Sequence, residues 1–119
     1  MNMRKFTQVA YVAGPYSSSS NGKSVEQNIA AARHIAAKLW DDGVVALCPH
    51  MNTAGFEELT TLKSKEFVDG DLLLVERCDL VVLTLDWYTS KGAIREVARA
   101  IELDIPFYVW PSVPWRIYE

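Results

Sequence analysis

Residues 79–110 read DLVVLTLDWYTSKGAIREVARAIELDIPFYVW, and this stretch decides the fold. Leu80 to Leu85 is an apolar run rich in β-branched residues, with the length and composition of a strand buried on both faces. A polar break, Asp86 to Lys91, follows. From Gly92 to about Leu103 the pattern is helical: Ile94, Val97, Ala98 and Ile101 fall along one side, while Arg95, Arg99 and Glu102 point elsewhere. Ile105 and Pro106 stop that helix, and Phe107 to Trp110 begins another apolar strand. A strand, a helix and a strand in this order form a crossover, and crossovers build parallel sheets.

Working outward toward the N-terminus, Lys65 to Arg77 predicts a helix that offers Phe67, Leu72 or Leu73, Leu74 and Val75 to a core. His50 to Thr61 is weakly patterned and reads as a loop with a short helical turn. Val44 to Cys48 is a short strand ended by Pro49-His50. Before it, Val25 to Trp40 carries Ile29, Ala32, Ile35, Ala36, Leu39 and Trp40 as one helical stripe. Ser24 and Gln27 have capping-box spacing at its start, and Asp41-Asp42-Gly43 ends it. Thr7 to Ala13 is the first strand, broken by Gly14-Pro15. Beyond Trp110 the tail holds Pro111, Pro114, Trp115 and Tyr118, aromatics of the kind that dock on a domain or on a second subunit. Four strands joined by three helices predict one domain over 1–119. Its fold class is α/β, a small doubly wound, flavodoxin- or Rossmann-like sandwich with a four- to five-stranded parallel sheet.

Composition narrows the functional classes. With 12 Lys+Arg against 15 Asp+Glu the net charge is −3, which argues against a broad nucleic-acid surface. Local phosphate binding stays open, because one loop or helix terminus can supply it. The N-terminal MNMRKFTQ does not read as a signal peptide, and no apolar run approaches the roughly 20 residues of a membrane span, so the expectation is a cytoplasmic protein with no membrane partner. Cys48 and Cys78 lie in or beside apolar segments without metal spacing, and read as buried thiols of a reducing compartment. No metal site and no cofactor are expected.

In an open parallel sheet, ligands bind beyond the carboxyl ends of the strands. Three such ends converge here: Ala13-Gly14-Pro15, Pro49-His50, and Asp86 to Gly92. The loop after Gly14, PYSSSSNGKS, offers hydroxyls and free amides suited to a phosphate, Ser17 among them; equally, it is a solvated loop with one capping serine. It matches neither GxxxxGK[ST] nor GxGxxG. Glu96, four residues after Gly92, is either a nucleophile or general base facing the sheet edge, or a surface glutamate paired with Arg95 or Arg99. Asp69 and Asp71, within FVDGDLLLVERCD, either stand on a solvated helix face or supply a second carboxylate, which acid/base work at an anomeric carbon requires. Trp87 and Tyr88 would stack on a base or pack against a neighbour. His50 is a loop histidine or a ligand contact.

The ordered set YVAGP (Tyr11 to Pro15), PH (Pro49-His50), Asp71, CDLVVL and SKGAIREVARA resembles the nucleoside 2-deoxyribosyltransferase superfamily, across nearly the whole chain up to Trp110. It looks closest to a bacterial and phage branch and to the deoxynucleoside 5′-monophosphate N-glycosidases. The resemblance implies a glutamate that attacks C1′ of a 2′-deoxynucleoside, matching Glu96. It further implies an aspartate assisting at base or sugar, matching Asp71, and a tyrosine that orients the nucleophile, matching Tyr11. The transferases carry an aspartate six residues before the glutamate; this chain has Ser90 there, as in the branch that hydrolyses 5′-monophosphates. A hydroxyl in place of a carboxylate removes repulsion against a dianion and adds a donor. On this resemblance Gly14, Pro15, Ser17, His50, Asp86, Trp87, Ser90 and Gly92 line the substrate site, and the ligand is a nucleotide or nucleoside. The protein is expected to be a homodimer or homotetramer. Base exchange, or nucleotide binding without catalysis, are the alternatives.

Overall fold

A computed structural model describes residues 6–116. The strands are β1 (Val9–Ala13), β2 (Val45–Leu47), β3 (Leu80–Leu83) and β4 (Phe107–Val109), all parallel, in the order β2-β1-β3-β4. The helices are α1 (Ser18–Asn21), α2 (Val25–Asp41), α3 (Pro49–Asn52), α4 (Ser64–Glu76) and α5 (Lys91–Glu102). Short 3-10 turns cover Phe56–Glu58, Trp87–Thr89 and Pro114–Arg116. This is the small doubly wound α/β fold that the sequence predicts. Tyr118 lies outside the described residues.

The period of two along each strand divides the core into two layers. Ala10 and Val12 of β1, with Leu80 and Val82 of β3, face α2 through Ala32, Ile35, Ala36 and Leu39. Tyr11 and Ala13, with Val81 and Leu83, face α4 and α5 through Val75, Ala93, Val97 and Ala100. Every residue of β3 is buried, as the apolar run requires. Burying each Val or Leu contributes roughly 1.5–3 kcal/mol. The chain leaves β1 toward β2 on one side and returns to β3 on the other. The reversal lies between the carboxyl ends of β1 and β3, which is where such folds hold ligands.

α2 starts with a complete capping box: Gln27 N–H donates to Ser24 Oγ at 3.1 Å, and Ser24 N–H donates to Gln27 Oε1 at 2.9 Å. Several expectations about burial are corrected. Trp40 is not in the core; one residue past Leu39 it has turned about 100° around the helix, and it packs against Phe6 with ring centroids 5.3 Å apart. Leu85 is beyond the end of β3 and 77% exposed. Leu73 is exposed; on α4 Val75 is buried, and Phe67, Val68, Asp71, Leu72 and Leu74 are half-buried. On α5 only Val97 of the expected stripe is buried; Ile94, Ala98 and Ile101 face outward, and the buried face is Ala93, Glu96, Val97 and Ala100. The C-terminal aromatics dock on the chain itself: Trp110 and Trp115 pack against the α2 layer, around a buried Val113.

Candidate active site beneath the sheet edge

Ser90 caps α5, its Oγ accepting from Ala93 N–H at 3.1 Å. Gly92, the second residue of the helix, meets α4: a Cβ there would stand 3.2 Å from Val68 Cγ2. One turn further on, Asp71 follows Val68 along α4 and Glu96 follows Gly92 along α5. The close approach of the two helices at glycine therefore brings the two carboxyl groups together. Tyr11, wholly buried at the middle of β1, points into the same space and donates its hydroxyl proton to Glu96 Oε2. Glu96 itself is only 6% exposed.

Burial dominates the electrostatics of this trio. It pushes the Glu96 carboxyl up to about 8; the Tyr11 hydrogen bond opposes the shift and the charge of Asp71 adds to it. Burial also raises Asp71, to about 6. The Tyr11 hydroxyl is pushed far above its ordinary range, first by burial and then by the charges of Glu96 and Asp71. Two neighbouring carboxyls with separated affinities for a proton are the usual signature of an acid/base pair. Asp69 is excluded from it. That side chain is on the surface, bonded to Lys65 Nζ at 3.1 Å and to Arg95 Nη2 at 2.7 Å. Arg95 is thereby occupied with Asp69, and Glu96 is not the surface ion pair that helix spacing allowed.

At the edge above, Gly14 and Thr84 close the ends of β1 and β3 against each other. A Cβ on Gly14 would sit 2.4 Å from Thr84 Oγ1, so only glycine fits. Thr84 Oγ1 donates to Asp86 Oδ1 at 2.9 Å, and Asn21 Nδ2 donates to Asp86 Oδ2 at 2.8 Å. Burial pushes Asp86 up, but these bonds outweigh it and hold the carboxyl below its ordinary range. Asn21 Nδ2 also reaches Asn28 Oδ1 at 2.8 Å, and Asn28 Nδ2 donates to the Tyr16 carbonyl at 3.0 Å. A polar chain thus ties the serine loop to the β3 end. Sequence reasoning missed Asn21, Asn28 and Thr84. Asn28 was the findable one, since it continues the buried stripe of Ala32, Ile35 and Leu39 with a polar side chain that must be satisfied.

The remaining candidates divide. Gly14 and Pro15 are buried at the strand end. Ser17 is exposed, its hydroxyl 3.0 Å from that of Ser19. His50 is buried, its Nε2 bonded to the Pro15 carbonyl at 2.7 Å and its ring edge-on to Tyr16 at 5.7 Å; burial lowers its pKa. It fastens the β1 and β2 ends together. Trp87 packs partly into the α5 layer, with the exposed Tyr88 edge-on to it at 6.4 Å. Cys48 and Cys78 are buried free thiols. Among the described residues no three His, Cys, Asp or Glu side chains converge as a metal site, and no helix is long and apolar enough to cross a membrane.

Neither Glu96 nor Asp71 lines either of two surface grooves. One, of about 520 Å³, runs between α4 and α5 past Leu72 and Ala98; the other, of about 440 Å³, lies between α2 and β2 beside Arg33 and Trp40.

A search of curated proteins finds no match to this chain. A family model described as "Domain of unknown function (DUF7768)" matches residues 8–110, from the residue before β1 to the residue after β4, so the chain belongs to that family.

Proposed function

We propose that this protein cleaves the N-glycosidic bond of a (deoxy)nucleoside 5′-monophosphate. The reading is carried by the buried Glu96 beside the half-buried Asp71, with the Tyr11 hydroxyl on Glu96. Between about pH 6 and 8 the pair holds one proton. At rest that proton sits on Glu96, the group of higher affinity; the reaction needs it on Asp71, which leaves Glu96 as the anion, steadied by Tyr11. A Glu96 carboxylate oxygen then bonds to C1′. The C1′–N bond breaks with its electron pair on the base, which takes the Asp71 proton. Water next attacks C1′, losing its proton to Asp71, and Glu96 departs as a carboxylate. The developing positive charge at the sugar is what favours an ionised Glu96 at that moment.

Ser17, Ser90 and the Gly92 amide would receive the 5′-phosphate. Ser90 keeps a proton to donate while its oxygen caps α5, and the first amides of a helix have no carbonyl one turn back. Gly14 and Pro15 would form the floor, Asp86 a sugar contact, and Trp87 and His50 the wall beside the base. Base exchange is the same chemistry with an acceptor base replacing water. A non-catalytic nucleotide-binding module is favoured by one observation, the burial of Glu96.

The test is incubation with nucleosides and their 5′-monophosphates, following free base by chromatography, with Glu96→Ala in parallel. Base released from monophosphates by the native protein and not by the variant is expected. Incorporation of an added base would replace hydrolysis by exchange. No release from any substrate, with a nucleotide still raising the melting temperature, would sink the catalytic reading in favour of binding alone.

A further inference from the structure

Residues 17–23, the segment that carries Ser17, are held to the rest of the chain by side-chain amides and not by packing. No residue of α1 is buried, and Ser17 makes no side-chain cap on it. Among the described residues, every hydrogen bond that leaves this segment for another element involves Asn21 or Asn28. Lys23 Nζ adds an exposed ion pair with Asp86 at 4.0 Å, a contact of little worth.

Asn21 uses its whole bonding capacity. Its Nδ2 donates to Asn28 Oδ1 and to Asp86 Oδ2, each at 2.8 Å. Its Oδ1 accepts from the Lys23 backbone N–H at 3.1 Å and from Asn28 Nδ2 at 3.3 Å. One amide thus joins the serine loop, α2 and the β3–α5 connection. Asp86 is itself braced by the Thr84 hydroxyl, and four residues later the chain reaches Ser90, the cap of α5. The serine loop and the β3–α5 connection are the two segments that a 5′-phosphate would bridge, with Ser17 on one side and Ser90 and the Gly92 amide on the other.

We propose that Asn21 is a positioning residue that sets the preference for nucleoside 5′-monophosphates over nucleosides, by holding the serine loop against the β3–α5 connection. This rests on the glycosidic-cleavage reading above. Asn21 touches no reacting atom. Donors fixed beforehand bind phosphate without the entropy cost of ordering a loose loop. A nucleoside has no group that meets that loop, so loosening it leaves the nucleoside unaffected.

The experiment measures kcat and KM for a 5′-monophosphate and for its nucleoside, and the Kd of both by calorimetry. The proteins are the native chain, Asn21→Ala, Asn21→Asp, and Asn21→Asp combined with Asp86→Asn. In Asn21→Ala, KM and Kd for the monophosphate should rise about tenfold, the worth of one or two hydrogen bonds. Its kcat, and both constants for the nucleoside, should not move. Asn21→Asp sets a second carboxylate against Asp86 and should lose more. The double variant exchanges donor for acceptor and should recover part of the preference. A sugar contact by Asp86 is common to both substrates and cancels in their ratio. Equal losses for the two substrates, or an unchanged ratio, would make Asn21 a fold-stabilising residue only and overturn the proposal. If the native chain releases no base, cleavage fails by itself and the calorimetry still decides. A tenfold weaker monophosphate in Asn21→Ala then upholds the positioning role; an equal Kd, or no native binding, overturns it.

Discussion

A carboxyl group buried as Glu96 is stores a pH dependence that the rest of the chain must carry. Unfolded, it titrates near 4.5; folded, burial lifts it to about 8. Between those values the folded chain binds a proton that the unfolded chain has released, so stability falls as pH rises through that window and levels off above it. Glu96→Gln removes the titration and keeps an acceptor for Tyr11. The variant should gain little at pH 4.5 and be more stable than the native protein at pH 9. The width of the window caps that gain at roughly 5 kcal/mol, and relaxation around the ionised group brings it nearer to about 1–3 kcal/mol. Urea denaturation at the two pH values measures it. A difference that does not change with pH would mean that Glu96 is already ionised in the folded protein. Asp71 acts in the same direction over a lower window, from its ordinary 3.8 to about 6, and Asp71→Asn serves as the control that separates the two.

The meeting of β1 and β3 is an element-scale device, and it turns on Gly14. Gly14→Ala would drive a methyl into Thr84, with the nearest atoms at 2.4 and 2.5 Å, so one strand end must move and the Thr84–Asp86 bond must lengthen or break. Overpacking of this kind costs about 1–3 kcal/mol. Adding Thr84→Ala removes both clashing atoms and should recover part of the loss in thermal melts; no recovery would place the strain elsewhere. This closure was half legible. AGP at a strand end announced a tight exit, but that the neighbour across the gap is Thr84 depends on strand order, which local pattern does not contain. The same limit explains α5. Ile94, Ala98 and Ile101 have the period of a core face, and so does the set Ala93, Val97 and Ala100. Which set faces the sheet is decided by the register of the crossover, and there the set with the smaller residues is the buried one. Glu96 belongs to the buried set by position alone, and its carboxylate hid that in a hydropathy pattern. Asp71 and Asp69 differed by two positions on one helix, and only the placement of α4 against α5 distinguishes the inward one from the one bonded to Arg95.

At the scale of the whole molecule, one sheet face has a shortage of helix. α4 and α5 cover one side of the four strands, whereas α2 is the single long helix on the other. The C-terminal tail fills the gap, with Val113 buried and Trp110 and Trp115 packed beside it. Its anchor is Asp42, the residue that ends α2. A carboxylate there opposes the helix dipole, and it is compensated by Arg116 through Nε at 2.6 Å and Nη2 at 2.9 Å, and by Trp115 Nε1 at 2.9 Å. The guanidinium also lies 4.7 Å over the Trp110 ring. With side chains 24% and 13% exposed, the pair is more strongly coupled than a surface ion pair. Arg116→Ala should cost about 2–3 kcal/mol, because it leaves a half-buried anion at a helix terminus as well as an uncovered tryptophan. Asp42→Asn should cost less, since the amide still accepts from Trp115. The double variant then discriminates. If Arg116 acts mainly through Asp42, the two losses combine to well below their sum in a urea-melt cycle. If they add, Arg116 holds the tail through Trp110, and Trp110→Leu should then abolish the effect of removing it.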